Sequence, residues 1–210
     1  MKKIILTLLL LLPALLLRAD ERGEAVLRKM AAAFQSYTSY RVDFTATMGG
    51  EFAGLPGELI VSGSNYYLDV YDSEIFFDGT TGYTYSESNN EVILETPDPD
   101  DYRLFANPTR IFQLYEQDYS ATFRGRAPLN EKTVDEVGLT PRASRSGLGN
   151  LTLYTDPTSG MPVRMVYRLE EYGADLVLDI QQITPNITLD AKTFSFDPEQ
   201  YPDVEVIDFR

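Results

Sequence analysis

The sequence predicts a mainly β protein, a single strongly curved antiparallel sheet of about eleven strands with three short helical segments. Apolar and polar residues alternate along most of the chain after Tyr40, which is the period of a half-buried strand. Turn pairs such as Asp78-Gly79 and Asn89-Asn90 separate neighbouring runs. Neighbouring strands joined by short turns form an antiparallel meander. No repeat or linker divides the chain, so one domain of residues 20–210 is expected.

The first nineteen residues are typical of a secretory signal peptide. Lys2 and Lys3 precede an apolar run from Ile4 to Leu17, and Ala19 is a small residue at a plausible cleavage site. The run has 14 residues, fewer than the roughly 20 that a membrane-spanning helix needs. No cysteine follows it that could carry a thiol-linked lipid. We therefore expect cleavage after residue 19 and a soluble periplasmic protein.

The predicted helices and strands follow from the residue spacing. Apolar residues recur every three or four positions in 21–37, as in an amphipathic helix, and every two positions from Tyr40 to Met48, as in a strand. Asn107-Pro108 would cap a short apolar helix at 109–116, and a last helical turn is expected at 190–193. The other predicted strands are Gly57–Val61, Asn65–Tyr71, Glu74–Phe77, Gly82–Ser86, Glu91–Thr96, Tyr119–Phe123, Thr133–Leu139, Asn150–Thr155, Pro162–Glu170 and Ala174–Gln182.

Composition excludes several kinds of chemistry. The chain has no Cys and no His, which removes disulfides, thiol nucleophiles, His-based triads and the usual His or Cys metal sites. No phosphate-binding or dinucleotide-binding glycine motif is present. Without residues 1–19 the chain has 15 basic and 32 acidic side chains, a net charge of −17 that disfavours nucleic acid. We expect no cofactor, no metal site and no enzymatic activity, although a catalytic pair of carboxylates stays formally open.

The abundant aromatic side chains indicate how the interior of the sheet is lined. The chain has 14 Tyr and 11 Phe, most of them on predicted strands. These residues either form an ordinary core or line a partly filled concave face that takes an apolar ligand. Eleven strands exceed the roughly eight whose side chains alone fill a barrel. The helices at 21–37 and 109–116 would cover such a cavity, and a helix-covered barrel mouth is a common ligand site.

Several segments, taken in order, resemble one protein family. They are "YTSYRVDFTATM", "GELIV", "IFFDGTTGYTY", "NPTRIFQLY", "VGLTPRA" and "AKTFSFDPEQYPDVEVID". Over residues 22–208 the chain resembles the LolA family of periplasmic outer-membrane lipoprotein carriers. The resemblance implies an unclosed β-barrel with short lid helices over an apolar cavity. It also implies a monomer that receives acylated lipoproteins from an inner-membrane ABC-type exporter and delivers them to an outer-membrane acceptor.

The resemblance implies a set of residues that bind the acyl chains, one alternating set on the concave strands together with three lid residues. They are Val42, Phe44, Leu59, Val61, Tyr66, Leu68, Phe77, Tyr83, Ile111, Leu114, Tyr115, Met165, Tyr167, Leu178 and Ile180. The opposite alternation is open, because a shift of one residue exchanges the two faces of a strand. The family commonly carries a basic residue and Pro after the second strand, where this chain has Ser62-Gly63-Ser64. The family's Arg contact with the lid is therefore not transferred.

Three alternatives to a lipoprotein carrier remain. The same fold could bind or sense another lipid or glycolipid in the periplasm. The chain could also be an interaction module without a cavity, or an enzyme that uses two carboxylates. The ligand that copurifies with the protein would separate the first alternative from a carrier.

Overall fold

The computed structural model describes residues 20–49, 52–98, 101, 107–109, 118–142, 149–169, 173–190 and 192–210. In this part of the chain, helix α1 (residues 20–35) precedes one sheet of twelve strands. A single 3₁₀ turn follows at Pro198–Gln200. The strands are β1 (Tyr40–Met48), β2 (Phe52–Ser62), β3 (Asn65–Val70), β4 (Ser73–Phe77), β5 (Gly82–Ser86), β6 (Glu91–Glu95), β7 (Tyr119–Leu129), β8 (Lys132–Pro141), β9 (Leu151–Thr155), β10 (Pro162–Leu169), β11 (Ala174–Pro185) and β12 (Glu205–Asp208).

The sheet consists of two meanders joined at β1. The strand order is β12-β6-β5-β4-β3-β2-β1-β11-β10-β9-β8-β7, so β1 pairs with β2 on one side and with β11 on the other. Neighbours are antiparallel except β12, which returns to pair parallel with β6. The sheet keeps two edges, at β12 and β7. The predicted curved, unclosed antiparallel sheet is confirmed, with β12 as one strand more than expected.

Short turns set the register of the first meander. Gly63 and Ser64 form a two-residue turn between β2 and β3, and Gly63 has φ +61°, a value that glycine adopts readily. The turn between β4 and β5 has four residues, 78–81. Its first residue, Asp78, accepts hydrogen bonds from the backbone N–H groups of Thr80 and Thr81, both at 2.9 Å. This turn places Phe77 opposite Gly82.

The sheet has a packed core on each face. On the concave face, Leu27, Met30 and Phe34 of α1 pack with apolar residues from both meanders. On the convex face, Phe196 and Tyr201 of the C-terminal segment 192–204 pack on Tyr85, Val92 and Leu94, together with Tyr83 and Val204. The concave core therefore joins the two halves of the sheet, and the convex core attaches the end of the chain.

The predicted helices are confirmed in part. The first is observed at 20–35, and Ser36 and Tyr37 form a turn after it. Of the turn predicted at 190–193, the described residues show one hydrogen bond, from the N–H of Thr193 to the carbonyl of Asp190 at 3.2 Å. The predicted signal peptide and most of the predicted 109–116 helix lie outside the described residues. Among the described residues, no helix combines the length and the apolar character needed to cross a membrane.

Candidate functional site

The concave face is lined by mostly apolar side chains that form rows across the strands. One row crosses β1 to β6, and a second crosses β1 and then β11 to β7. The first row is Val42, Leu59, Leu68, Ile75, Thr84 and Ile93. The second row is Ala46, Leu178, Met165, Leu153, Val137 and Phe123. Because these rows share β1, the two meanders present one apolar surface to α1.

The structure places most of the predicted strand residues together on this face. Nine of them belong to the buried concave cluster, and Phe77 and Ile180 pack against it. The nine are Val42, Phe44, Leu59, Val61, Tyr66, Leu68, Met165, Tyr167 and Leu178. The predicted lid residues Ile111, Leu114 and Tyr115 lie outside the described residues. Whether any of these residues contacts cargo stays a prediction.

The prediction that Tyr83 lines the concave face is wrong. Tyr83 is the partner of Phe76, whereas Phe77 is the partner of Gly82. Across the four-residue turn, each odd-numbered residue of one strand pairs with an even-numbered residue of the other, and paired residues share a face. Phe77 and Tyr83 are both odd-numbered and therefore lie on opposite faces. Tyr83 instead stacks on Phe196 of the convex core, with ring centroids 6.3 Å apart.

Helix α1 is seated directly on the edge strand β7. An added Cβ at Gly23 would lie 2.7 Å from the carbonyl oxygen of Ala121, so only glycine allows this approach. Glu24 accepts a hydrogen bond from the N–H of Ala121 at 3.1 Å, a contact that occupies part of the free edge. The guanidinium of Arg22 lies 3.7 Å from the ring centroid of Phe123. These contacts attach the first turns of α1 to the C-terminal meander.

A buried charge reinforces the same attachment. Asp135 is only 5% exposed and lies between Arg22 and Arg126, at 3.4 and 3.3 Å. Both arginines are about half exposed or more, so solvent screens part of their attraction. The carboxylate itself has lost most of its water and depends on both partners. Asp135 thus links α1 to β7 and β8.

Polar contacts also hold the segment that follows α1. The N–H and hydroxyl of Thr38 donate to Asn186 Oδ1 at 3.0 and 3.1 Å, and the hydroxyl of Ser39 donates to the carbonyl of Ile187 at 2.7 Å. Lys29 donates to the carbonyl of Thr158 at 2.7 Å. Lys29 thus ties α1 to the turn between β9 and β10, and Thr38 and Ser39 tie the chain just after α1 to the segment after β11.

The concave face is less covered on the side of β4 to β6. Val42, beneath α1, has no exposed surface, whereas Ile75, Phe77 and Ile93 are half-buried. Phe77 packs beside Tyr66, with ring centroids 5.3 Å apart. Burial, with a smaller contribution from the Glu95 carboxylate, raises the pKa of Tyr66 to about 12, so its phenol stays neutral. The partly covered side of the face is thus aromatic and uncharged at Tyr66 and Phe77.

Many residues of the concave cluster were absent from the predicted set, among them two groups. The first is the buried face of α1, whose Leu27, Met30 and Phe34 follow the helical spacing that predicted the helix. The second is on β8 and β9, where Val137, Leu139, Leu151 and Leu153 are all buried in the same cluster. Their alternation was visible in the sequence, and only the pairing of these strands with β10 assigns them to the concave face.

The described residues offer no obvious metal centre. Among them, no group of three or more Asp, Glu, His or Cys side chains is arranged to hold an ion. The candidate site in this part of the chain consists of the apolar concave surface and the helix that covers part of it.

Comparison with known proteins agrees with this architecture. Residues 67–197, more than half of the chain, match the family described as outer membrane lipoprotein carrier protein LolA. No curated protein matches the chain significantly in sequence. An uncharacterized conserved protein from Thermus thermophilus has a TM-score of 0.56 at 12% identity, with 89% of this chain and 99% of that chain covered.

Two further solved structures align with this chain over a similar length. A DUF1329 family protein from Desulfovibrio piger has a TM-score of 0.50 at 10% identity, with 84% and 97% of the two chains covered. A putative outer membrane lipoprotein-sorting protein domain from Vibrio parahaemolyticus has a TM-score of 0.49 at 10% identity, with the same coverage. At such identities the first two likenesses establish the fold alone. With the match over residues 67–197, the chain belongs to the LolA family of outer membrane lipoprotein carrier proteins.

Proposed function

We propose that this protein binds the acyl chains of lipoproteins on its concave face and carries them across the periplasm. It would receive them from an inner-membrane ABC-type exporter and release them to an outer-membrane acceptor. The observation that carries the proposal is the continuous apolar surface formed by both meanders in a member of the lipoprotein carrier family. An acyl chain has no hydrogen-bonding groups, so an apolar face with few polar groups suits it.

The attachment of α1 indicates where the cargo would enter. Because α1 is held to β7 and, through Lys29, to the turn between β9 and β10, we infer that it acts as a fixed wall rather than a moving lid. Cargo would then enter beside β4 to β6, where Ile75, Phe77 and Ile93 are only half-buried. In this arrangement Tyr66 and Leu68 line the inner part of the path. Ile111, Leu114 and Tyr115 would cover it, as the family resemblance implies.

The size of the hydrophobic effect explains why a carrier benefits from a face that is largely packed. Burying one CH₂ group stabilises by about 0.8 kcal/mol, so three chains of roughly 16 carbons would release on the order of 35 kcal/mol. The strongest measured binding free energies are about −18 to −21 kcal/mol, and cargo bound that tightly would not be released. A face already filled by Phe34, Met30 and Leu27 leaves part of the acyl chains exposed. Partial burial makes release to a stronger acceptor possible.

The identity of the bound ligand tests the proposal. The mature protein would be purified from the periplasm of its own host and studied by native mass spectrometry with lipid analysis. We expect an acylated polypeptide to copurify. A free phospholipid or glycolipid instead would reject lipoprotein transport and assign the same fold to lipid binding or sensing. An empty protein that also fails to bind an acylated peptide would reject both.

A pair of matched variants tests which face binds the cargo. Phe77→Asp places a charge on the concave face beside Tyr66, and Val177→Asp makes the same change at a half-buried valine on the convex face of β11. We expect Phe77→Asp to weaken binding of a fluorescent triacylated peptide at least tenfold, because a carboxylate would be desolvated by the acyl chain. Val177→Asp should bind as the wild type does. Equal binding by two folded variants would remove Phe77 from the site.

A further inference from the structure

A pocket lies on the convex face, separated from the concave face by the sheet itself. It has a volume of about 260 Å³ and lies between β2 to β4 and the C-terminal segment. Tyr67, Glu74 and Phe76 line it from the strands, and Lys192, Asp197 and Tyr201 line it from the C-terminal segment. We name it the convex pocket. Pockets for drug-sized ligands start at roughly 300 Å³, so this one suits a group no larger than a side chain.

The charge of the convex pocket is concentrated on Glu74. Its Oε2 accepts hydrogen bonds from the hydroxyls of Tyr67 at 2.8 Å and Tyr201 at 3.1 Å. Burial raises the pKa of both phenols, so they stay protonated and keep donating. Within the described part of the chain, no hydrogen bond reaches Oε1 of Glu74. Lys192 is paired with Asp197 at 2.9 Å, which leaves the pocket with the negative charge of Glu74.

Aromatic rings line the convex pocket. The rings of Tyr67 and Phe76 have centroids 4.9 Å apart, and Tyr201 stacks on Phe196 at 4.5 Å, which fixes its orientation. Aromatic faces attract cations through their quadrupole, most strongly when the cation is partly desolvated. A carboxylate in the same pocket as aromatic rings has the chemistry of a site for an organic cation.

The surrounding sheet adds to the negative potential. Asp43, Glu58, Asp69 and Glu74 are successive cross-strand partners on β1 to β4, a row of four carboxylates. Arg41 pairs with the first two, at 2.6 and 2.7 Å. In the described residues no ion pair reaches Asp69 or Glu74, and like charges directly opposite each other destabilise a sheet. Burial, and then the charge of Glu74, raises the pKa of Asp69. A bound cation would relieve this repulsion.

We propose that the convex pocket binds one organic cation, a primary ammonium or guanidinium group. The cation would donate to Glu74 Oε1 while its carbon chain packs on Tyr67, Phe76 and Tyr201. Two sources supply this chemistry, a free amine and the Lys or Arg side chain of a polypeptide. The site does not depend on the acyl chains bound on the other face of the sheet.

The test is an NMR titration of ¹⁵N-labelled mature protein at fixed ionic strength. The probes are n-butylammonium chloride and, as an uncharged molecule of the same chain length, n-butanol. A capped Gly-Gly-Lys-Gly-Gly peptide and its acetyl-lysine counterpart represent the polypeptide source. We expect the charged probes to shift the amides of Glu74, Lys192 and Tyr201 saturably. If only the free amine does so, a small amine is the ligand; if the peptide does so too, a side chain fits.

A variant separates this site from general electrostatic attraction. Glu74→Gln should weaken binding of n-butylammonium at least tenfold, and Glu95→Gln, which removes the same charge at the exposed end of β6, should not. Tenfold corresponds to 1.4 kcal/mol. Equal shifts with n-butanol, equal binding by Glu74→Gln, or no saturable shift with either charged probe would overturn the proposal. Affinity for acylated peptide should be the same in Glu74→Gln, so this result does not depend on the carrier function.

Discussion

Replacing Gly23 with alanine should destabilise the protein, although alanine is the better helix former. At an exposed helix position this change stabilises by about 1 kcal/mol. Here the new Cβ would lie 2.7 Å from the carbonyl oxygen of Ala121 and 2.8 Å from the backbone nitrogen of Phe123. Both are backbone atoms of β7, so neither can rotate away and α1 must move off the sheet.

The expected size follows from these opposing effects. Overpacking of a well-packed contact costs typically 1–3 kcal/mol, and loss of the Glu24 contact with β7 adds to it. After subtraction of the helix gain, we expect the free energy of unfolding to fall by about 1–3 kcal/mol. For a domain of this size, that corresponds to a decrease in Tm of roughly 2–12 °C.

Urea and thermal unfolding followed by circular dichroism would measure this change. Ala32→Gly, at an exposed position of the same helix, measures the propensity contribution alone and should cost about 1 kcal/mol. The steric cost at Gly23 is the observed decrease in the free energy of unfolding plus this helix-propensity contribution. A neutral or stabilising Gly23→Ala would refute the direct seating of α1 on β7, and with it the inference that α1 is a fixed wall.

Two other predictions concern the attachment of α1 and the response to acid. Asp20→Cys with Thr122→Cys replaces a 2.8 Å side-chain hydrogen bond between α1 and β7 by the only disulfide in the chain. If α1 is a fixed wall, the oxidised protein should bind acylated peptide as the reduced protein does; binding that returns only on reduction would show that α1 moves. At the turn between β3 and β4, hydrogen bonds from Ser88 hold the pKa of Asp72 below its ordinary value. Its contribution to stability is therefore present above the ordinary pKa and is lost as pH falls through the lowered one. Asp72→Asn should be less stable than wild type in urea at pH 7, and the difference should shrink as the pH falls below the ordinary pKa of Asp, whereas a difference that does not change with pH would contradict this role.

The alternation of residues along single strands was readable from the sequence. Val42 and Phe44 share a face because side chains of a strand point alternately to its two sides. The spacing of Met30 and Phe34 likewise predicts the buried side of α1. The residue pattern therefore determined the element types, the mainly β class and most members of the concave set. The order of the sequence motifs along the chain also indicated the family.

The relation between strands was decided by turn length and long-range packing. Tyr83 was assigned to the wrong face because the pairing across the turn at 78–81 depends on how many residues that turn leaves unpaired. The bulge between Asp43 and Phe44 similarly shifts β11 by one residue, so that both Ile183 and Ile180 reach the concave side. Neither shift leaves a clear signal in the alternation of a single strand.

The tertiary structure alone decided what covers each face of the sheet. The pairing of β1 with β11 joins residues more than a hundred positions apart, and it brings the two meanders into one concave surface. The seating of Gly23 on Ala121 and the packing of Tyr201 on the convex face are of the same kind. Residue spacing reports only which side of its own element a residue occupies. Which surface lies against that side is set by the burial of apolar area between distant segments, and this becomes defined only when the whole chain has folded.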